Sequence, residues 1–152
     1  MTDDGTRVEG DPPVETAAAA AARIEHGDVL GVSGFGSVGY PKLVPEAIAD
    51  RTDAADLDLT VVSGGSVGPE VDAALVESGA MTRRYPFIGH EALRTAINDG
   101  RVAFHDRHVA GVADEVRFGG LPSPDWAVVE AVAVGPDWLV PSPSVGSTPA
   151  LV

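Results

Sequence analysis

Cysteine is absent from the 152-residue sequence. That excludes disulfides, a thiolate nucleophile and every cysteine-based zinc or iron–sulfur site. Lysine is nearly absent too: Lys42 is the only one, and arginine supplies almost all of the positive charge. The opening M-T-D-D-G lacks the basic and apolar regions of a signal peptide. No apolar run approaches the ~20 residues that a membrane-spanning helix needs. The polyalanine segment Ala17–Ala22 is too short and too weakly apolar to insert. No internal repeat is visible beyond two glycine-rich stretches of similar design.

Acid dominates what is present. Twenty-three Asp and Glu against 10 Lys and Arg give a net charge of −13, which opposes non-specific nucleic-acid binding. Such a charge suits a chain kept soluble in concentrated salt, where a Debye length of about 3 Å at 1 M damps self-repulsion. The balance favours a salt-adapted cytoplasmic protein over an ordinary acidic one. Hydrophobic residues at 44% against 22% charged place the chain among globular proteins. Its length predicts one domain that buries roughly 70% of its unfolded surface.

In chain order, residues 1–13 read as a flexible acidic arm and 14–152 as the folded domain. Helix propensity is strong over Val14–His26, with Gly27 as its stop. Asp28–Ser33 is apolar enough for a strand covered on both faces. The glycine loop Ser33–Lys42 follows, and a helix begins near Pro45–Ala49. Leu57–Val62 predicts a second strand, which exits into S-G-G-S-V-G-P-E at Ser63–Glu70. Helices are expected over Pro69–Glu77, Glu91–Asn98 and around Val109–Val116. Leu93 and Ile97 lie four apart on one helix face. Arg83–Ile88 and Val102–Phe104 read as short extended pieces. Trp126–Val134 is the most strand-like run, with Trp138–Val140 returning across a Gly135-Pro136-Asp137 turn. Strands alternating with helices predict an α/β fold: an open, mostly parallel sheet with flanking helices.

Gly34, Gly36 and Gly39 spell the dinucleotide spacing G-x-G-x-x-G after a strand. The third glycine of that fingerprint must open a helix, and an acid must end the next strand. Here Tyr40-Pro41 follows Gly39 at once, and the second strand ends in Ser63-Gly64-Gly65. A Walker A loop fails as well, because Tyr40 stands where lysine is required. Glycines at the carboxyl end of a buried strand still let backbone N–H groups approach a ligand. His105 and His108 have no third ligand of matching spacing, so a structural or exposed role is favoured over a metal site. Glu130, inside an apolar run, is either a general base with a raised pKa or, more commonly, a buried hydrogen-bonding partner. Ser66 lacks the G-x-S-x-G context and an ordered Asp/His pair, which favours a hydrogen-bond donor over a nucleophile. Arg83-Arg84 reads first as pairing with surplus acids and second as an anion site.

Several stretches in order resemble one family. They are H-G-D-V-L-G-V-S-G-F-G-S-V-G-Y-P-K-L-V-P-E-A-I-A (His26–Ala49), S-G-G-S-V-G-P-E-V-D-A-A-L (Ser63–Leu75), R-R-Y-P-F (Arg83–Phe87), L-R-T-A-I-N-D-G (Leu93–Gly100), V-V-E-A-V-A-V (Val128–Val134) and V-P-S-P-S-V-G-S-T-P (Val140–Pro149). Together they resemble the amino-terminal half of acetyl-CoA hydrolases and succinyl-CoA:acetate CoA-transferases, the class I CoA-transferases.

The resemblance implies two similar open α/β halves with the active site between them. A glutamate on the second half would attack an acyl-CoA thioester and pass through a glutamyl-CoA intermediate to a small carboxylate acceptor, or the acyl group would go to water. Neither Glu70 nor Glu130 matches that glutamate. The chain is therefore expected to be truncated before the half that carries it, and to work with that half in cis or in trans or else persist as a non-catalytic remnant. Ser66 matches a family serine that hydrogen-bonds near the glutamate. Gly34, Phe35, Gly39, Gly65, Val67 and Gly68 match walls of the acyl and carboxylate pocket. Coenzyme A enters as a substrate, with no permanently bound cofactor and no metal implied. The expected partners are acyl-CoA, small carboxylates, the carboxyl-terminal half and further copies of the complete enzyme, with no nucleic acid and no membrane.

Overall fold

The computed structural model describes residues 12–87 and 89–152. The expected acidic arm lies outside the described residues except for Pro12 and Pro13.

Five parallel strands form the main sheet: β1 (Val29–Val32), β2 (Leu59–Ser63), β3 (Met81–Tyr85), β4 (Ala103–Phe104) and β5 (Trp126–Val128). Their order is β4-β3-β2-β1-β5. Helices α2 (Leu43–Ala49), α3 (Pro69–Glu77) and α4 (Glu91–Asn98) make the crossovers from β1 through β4. The chain then returns past α5 (Val112–Phe118) and adds β5 on the other side of β1. Strand order therefore reverses beside β1, and in an open α/β sheet ligands bind outside the carboxyl ends of the strands at such a switch point. Val32 pairs with Ser63 on one side and with Val128 on the other, so the exits of β1, β2 and β5 lie level.

Both faces of the sheet are covered, as the apolar strand sequences require. Leu30, Val32, Leu59 and Val61 pack with Ile48, Val71, Leu75 and Leu93 in the larger core. Val62 points the opposite way, toward Tyr85, Val112, Val116, Leu121 and Leu151. Period-two alternation along β2 thus feeds two layers. Gly31 lies under the second layer, where a Cβ would sit 3.0 Å from both Leu151 Cδ2 and Pro124 Cγ. Its missing side chain lets α6 (Thr148–Leu151) pack on β1.

Three expectations need correction. The first helix, α1, covers only Ala17–Ala21. Thr16 Oγ1 caps its start by accepting from Ala19 N, and Arg51 Nη1 donates to the carbonyls of Ala21 and Ile24 at its end. That guanidinium replaces the next turn's N–H donors, so the helix stops well before Gly27. Trp126–Val134 is not one strand. β5 ends at Val128, Glu130 N–H turns to Ser33 Oγ (2.9 Å), and β6 (Ala131–Val134) pairs antiparallel with β7 (Leu139–Pro141). The turn at Gly135-Pro136-Asp137 is as expected, closed by Gly135 N–H to Trp138 O at 2.8 Å. The third strand ends at Tyr85 because Pro86 brings no N–H to extend the ladder. Helices α3 and α4 have the expected bounds, the remaining helix and strand bounds differ by a few residues, and Val109–Gly111 is a 3₁₀ turn leading into α5.

Candidate functional site

The β1 exit is built around Ser33. Its buried hydroxyl donates to Gly39 O (2.7 Å) and accepts from Glu130 N (2.9 Å), tying both ends of the glycine loop to the β5 exit. Gly34 has φ +103° and lies so close to the loop's return that a Cβ would stand 2.8 Å from Tyr40 N. Only glycine meets both demands. The loop tip leaves Phe35 and Val38 more than half exposed. The Phe35 ring lies over Gly65 of the β2 exit, where a Cβ would be 2.7 Å from Cδ2.

Tyr40, Lys42, Glu70 and Glu130 form a polar chain beneath this surface. The buried Tyr40 donates its hydroxyl to Glu70 Oε2 at 2.7 Å, and its ring occupies the space a Cβ at Gly68 would need. Lys42 Nζ donates to Tyr40 O at 2.9 Å and to Glu130 Oε2 at 2.6 Å, and lies 4.4 Å from the Tyr40 ring centroid. The hydrogen bond to Glu70, then burial, pushes the Tyr40 phenol up to about 12. The same bond holds the Glu70 carboxyl below its usual value, and Lys42 does so for Glu130. Glu130 is neither a buried base nor a carboxyl with raised pKa. It is a part-exposed, ionised partner of the single lysine, in a pair worth about 1 kcal/mol or less.

The sign of the Tyr40–Glu70 linkage is fixed by these shifts. Tyr40's contribution to stability is fully present below pH 10.0 and lost as pH rises through about 12. Glu70's is present above its ordinary 4.5 and lost as pH falls through its lowered value. Tyr85 is the only other tyrosine, so Tyr85→Phe leaves Tyr40 as the sole phenol. Ultraviolet titration of that variant is expected to show a phenolate midpoint near 12. A midpoint near the ordinary value of about 10 would show that the Glu70 bond does not form in solution.

The β2 exit rests on a buried ion pair. Arg84 of β3 and Asp72 of α3 are both wholly buried, with Nε donating to Oδ1 at 3.0 Å. Arg84 Nη2 donates to Gly65 O at 3.3 Å, and Nη1 to Tyr85 O. Ser63 Oγ also donates to Gly65 O. Burial pushes the Asp72 carboxyl up, and the Arg84 charge opposes that push. Of the two adjacent arginines, Arg84 is thus the one paired with an acid, while Arg83 donates to Thr60 Oγ1 at 3.2 Å.

Residues 142–148 form the floor of the site; the sequence reading placed this stretch among the family-like motifs but named no site residue in it. Gly64 lies against Ser147 N, Gly146 against Gly34 O, and Gly39 against Ser144 O and Ser142 Oγ. Ser144 Oγ donates to Phe35 O at 2.9 Å. The signal was present in the glycines of three separate exits, each small enough to let another backbone approach.

Gly34, Phe35 and Gly39 therefore share one loop, and Gly65, Ser66, Val67 and Gly68 an adjacent one, with Phe35 on Gly65 and Tyr40 on Gly68 as direct contacts. The Val67 side chain is buried in the larger core, so it can offer a ligand only its backbone. Half-buried Ser66 packs on Gly89, where a Cβ would be 2.5 Å from the serine Cβ. The histidines lie elsewhere: His105 stacks on Tyr85 at 4.7 Å, and His108 Nδ1 accepts from Ala110 N. Among the described residues, no three His, Cys, Asp or Glu side chains are grouped to hold a metal. No described helix is long and apolar enough to cross a membrane.

A parallel sheet with glycine-rich exits meeting at a switch point defines an open α/β domain. The chain belongs to the acetyl-CoA hydrolase/transferase N-terminal domain family, whose model matches residues 12–152. It is 34% identical to a succinyl-CoA:acetate CoA-transferase of Clostridium kluyveri, over 91% of this chain and 26% of that protein. It is 35% identical to a propanoyl-CoA:succinate CoA transferase of Escherichia coli (88% and 28%) and 32% identical to an acetyl-CoA hydrolase of Saccharomyces cerevisiae (84% and 26%). The chain thus spans about a quarter of the length of these curated relatives. An acyl-CoA transferase from E. coli O157:H7, solved as a thioester complex with CoA, shares the fold. Its TM-score is 0.63 at 17% identity, over 73% of this chain and 23% of that one. Glutaconate coenzyme A-transferase from Acidaminococcus fermentans shares it at a TM-score of 0.56 and 20% identity, over 73% and 37%.

Proposed function

We propose that this chain is the amino-terminal domain of an enzyme that moves CoA between an acyl-CoA, such as acetyl- or succinyl-CoA, and a small carboxylate such as acetate. The observation that carries this reading is the contact of Phe35 with Gly65 at the switch point, joining two glycine exits into one wall in a chain of this family. The wall has an apolar tip at Phe35 and Val38 and a backbone-rich stretch at Gly64–Gly68. That combination suits a short acyl group ending in a polarised carbonyl or a carboxylate.

The attacking carboxylate comes from a carboxyl-terminal part of the enzyme, in cis or in trans. Glu70 and Glu130 do not serve, since Tyr40 and Lys42 already hold them. A glutamate oxygen bonds to the thioester carbon, the C–S bond breaks, and CoA leaves as thiolate. The thiolate then attacks the glutamyl carbonyl of the anhydride and releases the first carboxylate, leaving glutamyl-CoA. The acceptor carboxylate reverses these steps, or water takes the acyl group instead. Gly34, Phe35, Gly39, Gly65, Val67 and Gly68 line the acyl and carboxylate path, and Ser66 supports the glutamate by hydrogen bonding.

The test supplies acetyl-CoA and isotope-labelled succinate in high salt to the purified chain, alone and together with a carboxyl-terminal part. Labelled succinyl-CoA is expected only from the combination, and is expected to vanish when the attacking glutamate there becomes glutamine. No thioester exchange or hydrolysis from a folded combination would refute the reading.

A further inference from the structure

The Gly65 carbonyl is held from inside the protein by two donors, Ser63 Oγ and Arg84 Nη2. Its peptide bond to Ser66 is trans, and a trans peptide directs its C=O and N–H to opposite sides. Drawing the carbonyl toward buried Arg84 therefore turns the Ser66 N–H away from that arginine. Among the described residues, no hydrogen bond takes that N–H.

The burial of Arg84 calls for an explanation of its own. A buried ion pair is commonly no more stable than an apolar pair of similar volume. The guanidinium, however, is planar and carries five donors in a fixed fork. Here it reaches Asp72 Oδ1, Tyr85 O and Gly65 O at once. A lysine ammonium, as a point charge, does not span those three acceptors along fixed directions. A cation on the carbonyl also polarises the peptide, making the N–H at its far end a stronger donor.

We propose that Arg84 is a positioning residue. Held by Asp72, it fixes the Gly65–Ser66 peptide so that the Ser66 N–H meets a carboxylate oxygen of the substrate. This rests on the reading of these loops as a carboxylate pocket, but it concerns binding within this chain alone.

Isotope-labelled chain is titrated with sodium acetate against sodium chloride at constant ionic strength, and the Ser66 amide proton resonance is followed. A saturable downfield shift is expected in the native sequence. Arg84→Met with Asp72→Val removes the pair without leaving an orphan charge, and is expected to abolish the saturable shift. Arg84→Lys keeps the charge opposite Asp72 while giving up the fork, and is expected to weaken acetate binding at Ser66 at least tenfold. Should the double variant fail to fold, the lysine variant carries the test. A folded double variant, or a lysine variant, with native acetate binding at Ser66 would overturn the proposal. So would a native Ser66 resonance that ignores acetate. CoA exchange by the complete enzyme with Ser66 silent sinks this inference alone, whereas a shifting Ser66 without exchange sinks only the enzymatic reading.

Discussion

Asp72→Ala is expected to lower the unfolding free energy by about 3–5 kcal/mol, because it strands a buried guanidinium without its counter-charge. Arg84 is wholly buried, and among the described residues Asp72 is its only acidic partner, through Oδ1. Removing the carboxylate leaves two backbone carbonyls as its remaining acceptors. Typical domains are stable by only about 5–15 kcal/mol, so the loss takes a large share of the total. Urea unfolding at fixed high salt measures it directly. Arg84→Met with Asp72→Val is expected to recover most of the loss, since neither charge is then left unpaired. A cost below about 1 kcal/mol for Asp72→Ala would place the pair in solvent and contradict its burial.

Gly64→Ala is expected to cost about 2–3 kcal/mol, at the upper part of the range for overpacking. The added methyl would overlap the Ser147 amide nitrogen and approach Gly146 within 2.9 Å, and both neighbours are backbone. Relief requires the 142–148 segment to lift off the β2 exit, a larger change than a rotamer shift. Gly36→Ala is the control. Its φ of +68° carries conformational cost, but nothing lies within 4 Å of the new methyl. That variant is expected to lose about 1–2 kcal/mol with the site's floor intact. Thermal unfolding of the two, with proteolysis at the 142–148 segment, separates packing from backbone strain. Equal losses without greater cleavage in Gly64→Ala would show that the segment does not lie where it is described.

Much of this architecture was legible because the local signals agree. Apolar β1 and β2 runs, glycine exits and the proline at the start of α3 each predict the element that forms. Strand order was not legible, because parallel pairing is set by long crossovers whose destinations no short motif records. β5 lies beside β1 although almost a hundred residues separate them in sequence. The same distance concealed the partner of Glu130. Its apolar neighbours suggested burial in a strand, yet Lys42, 88 residues away, draws it to the strand exit. Arg84 was read as pairing with acids, but its reach to Gly65 O follows only once β3 lies next to β2. The α1 terminus depended on Arg51, a donor supplied from beyond α2 that helix propensity does not encode. Both glycine loops were read as strand exits, whereas the contact of the 142–148 segment with them was not legible, because its single glycine, Gly146, does not record which backbone it lies against.

Hydrogen–deuterium exchange on the complete enzyme, with and without acetyl-CoA, tests most directly whether these two strand exits form the acyl-CoA wall. Slower exchange is predicted on ligand binding in residues 33–42 and 63–69, with 142–148 following as the floor beneath them. Unchanged exchange in both loops under saturating acetyl-CoA, with protection confined to the β6–β7 hairpin or to other parts of the enzyme, would contradict the account.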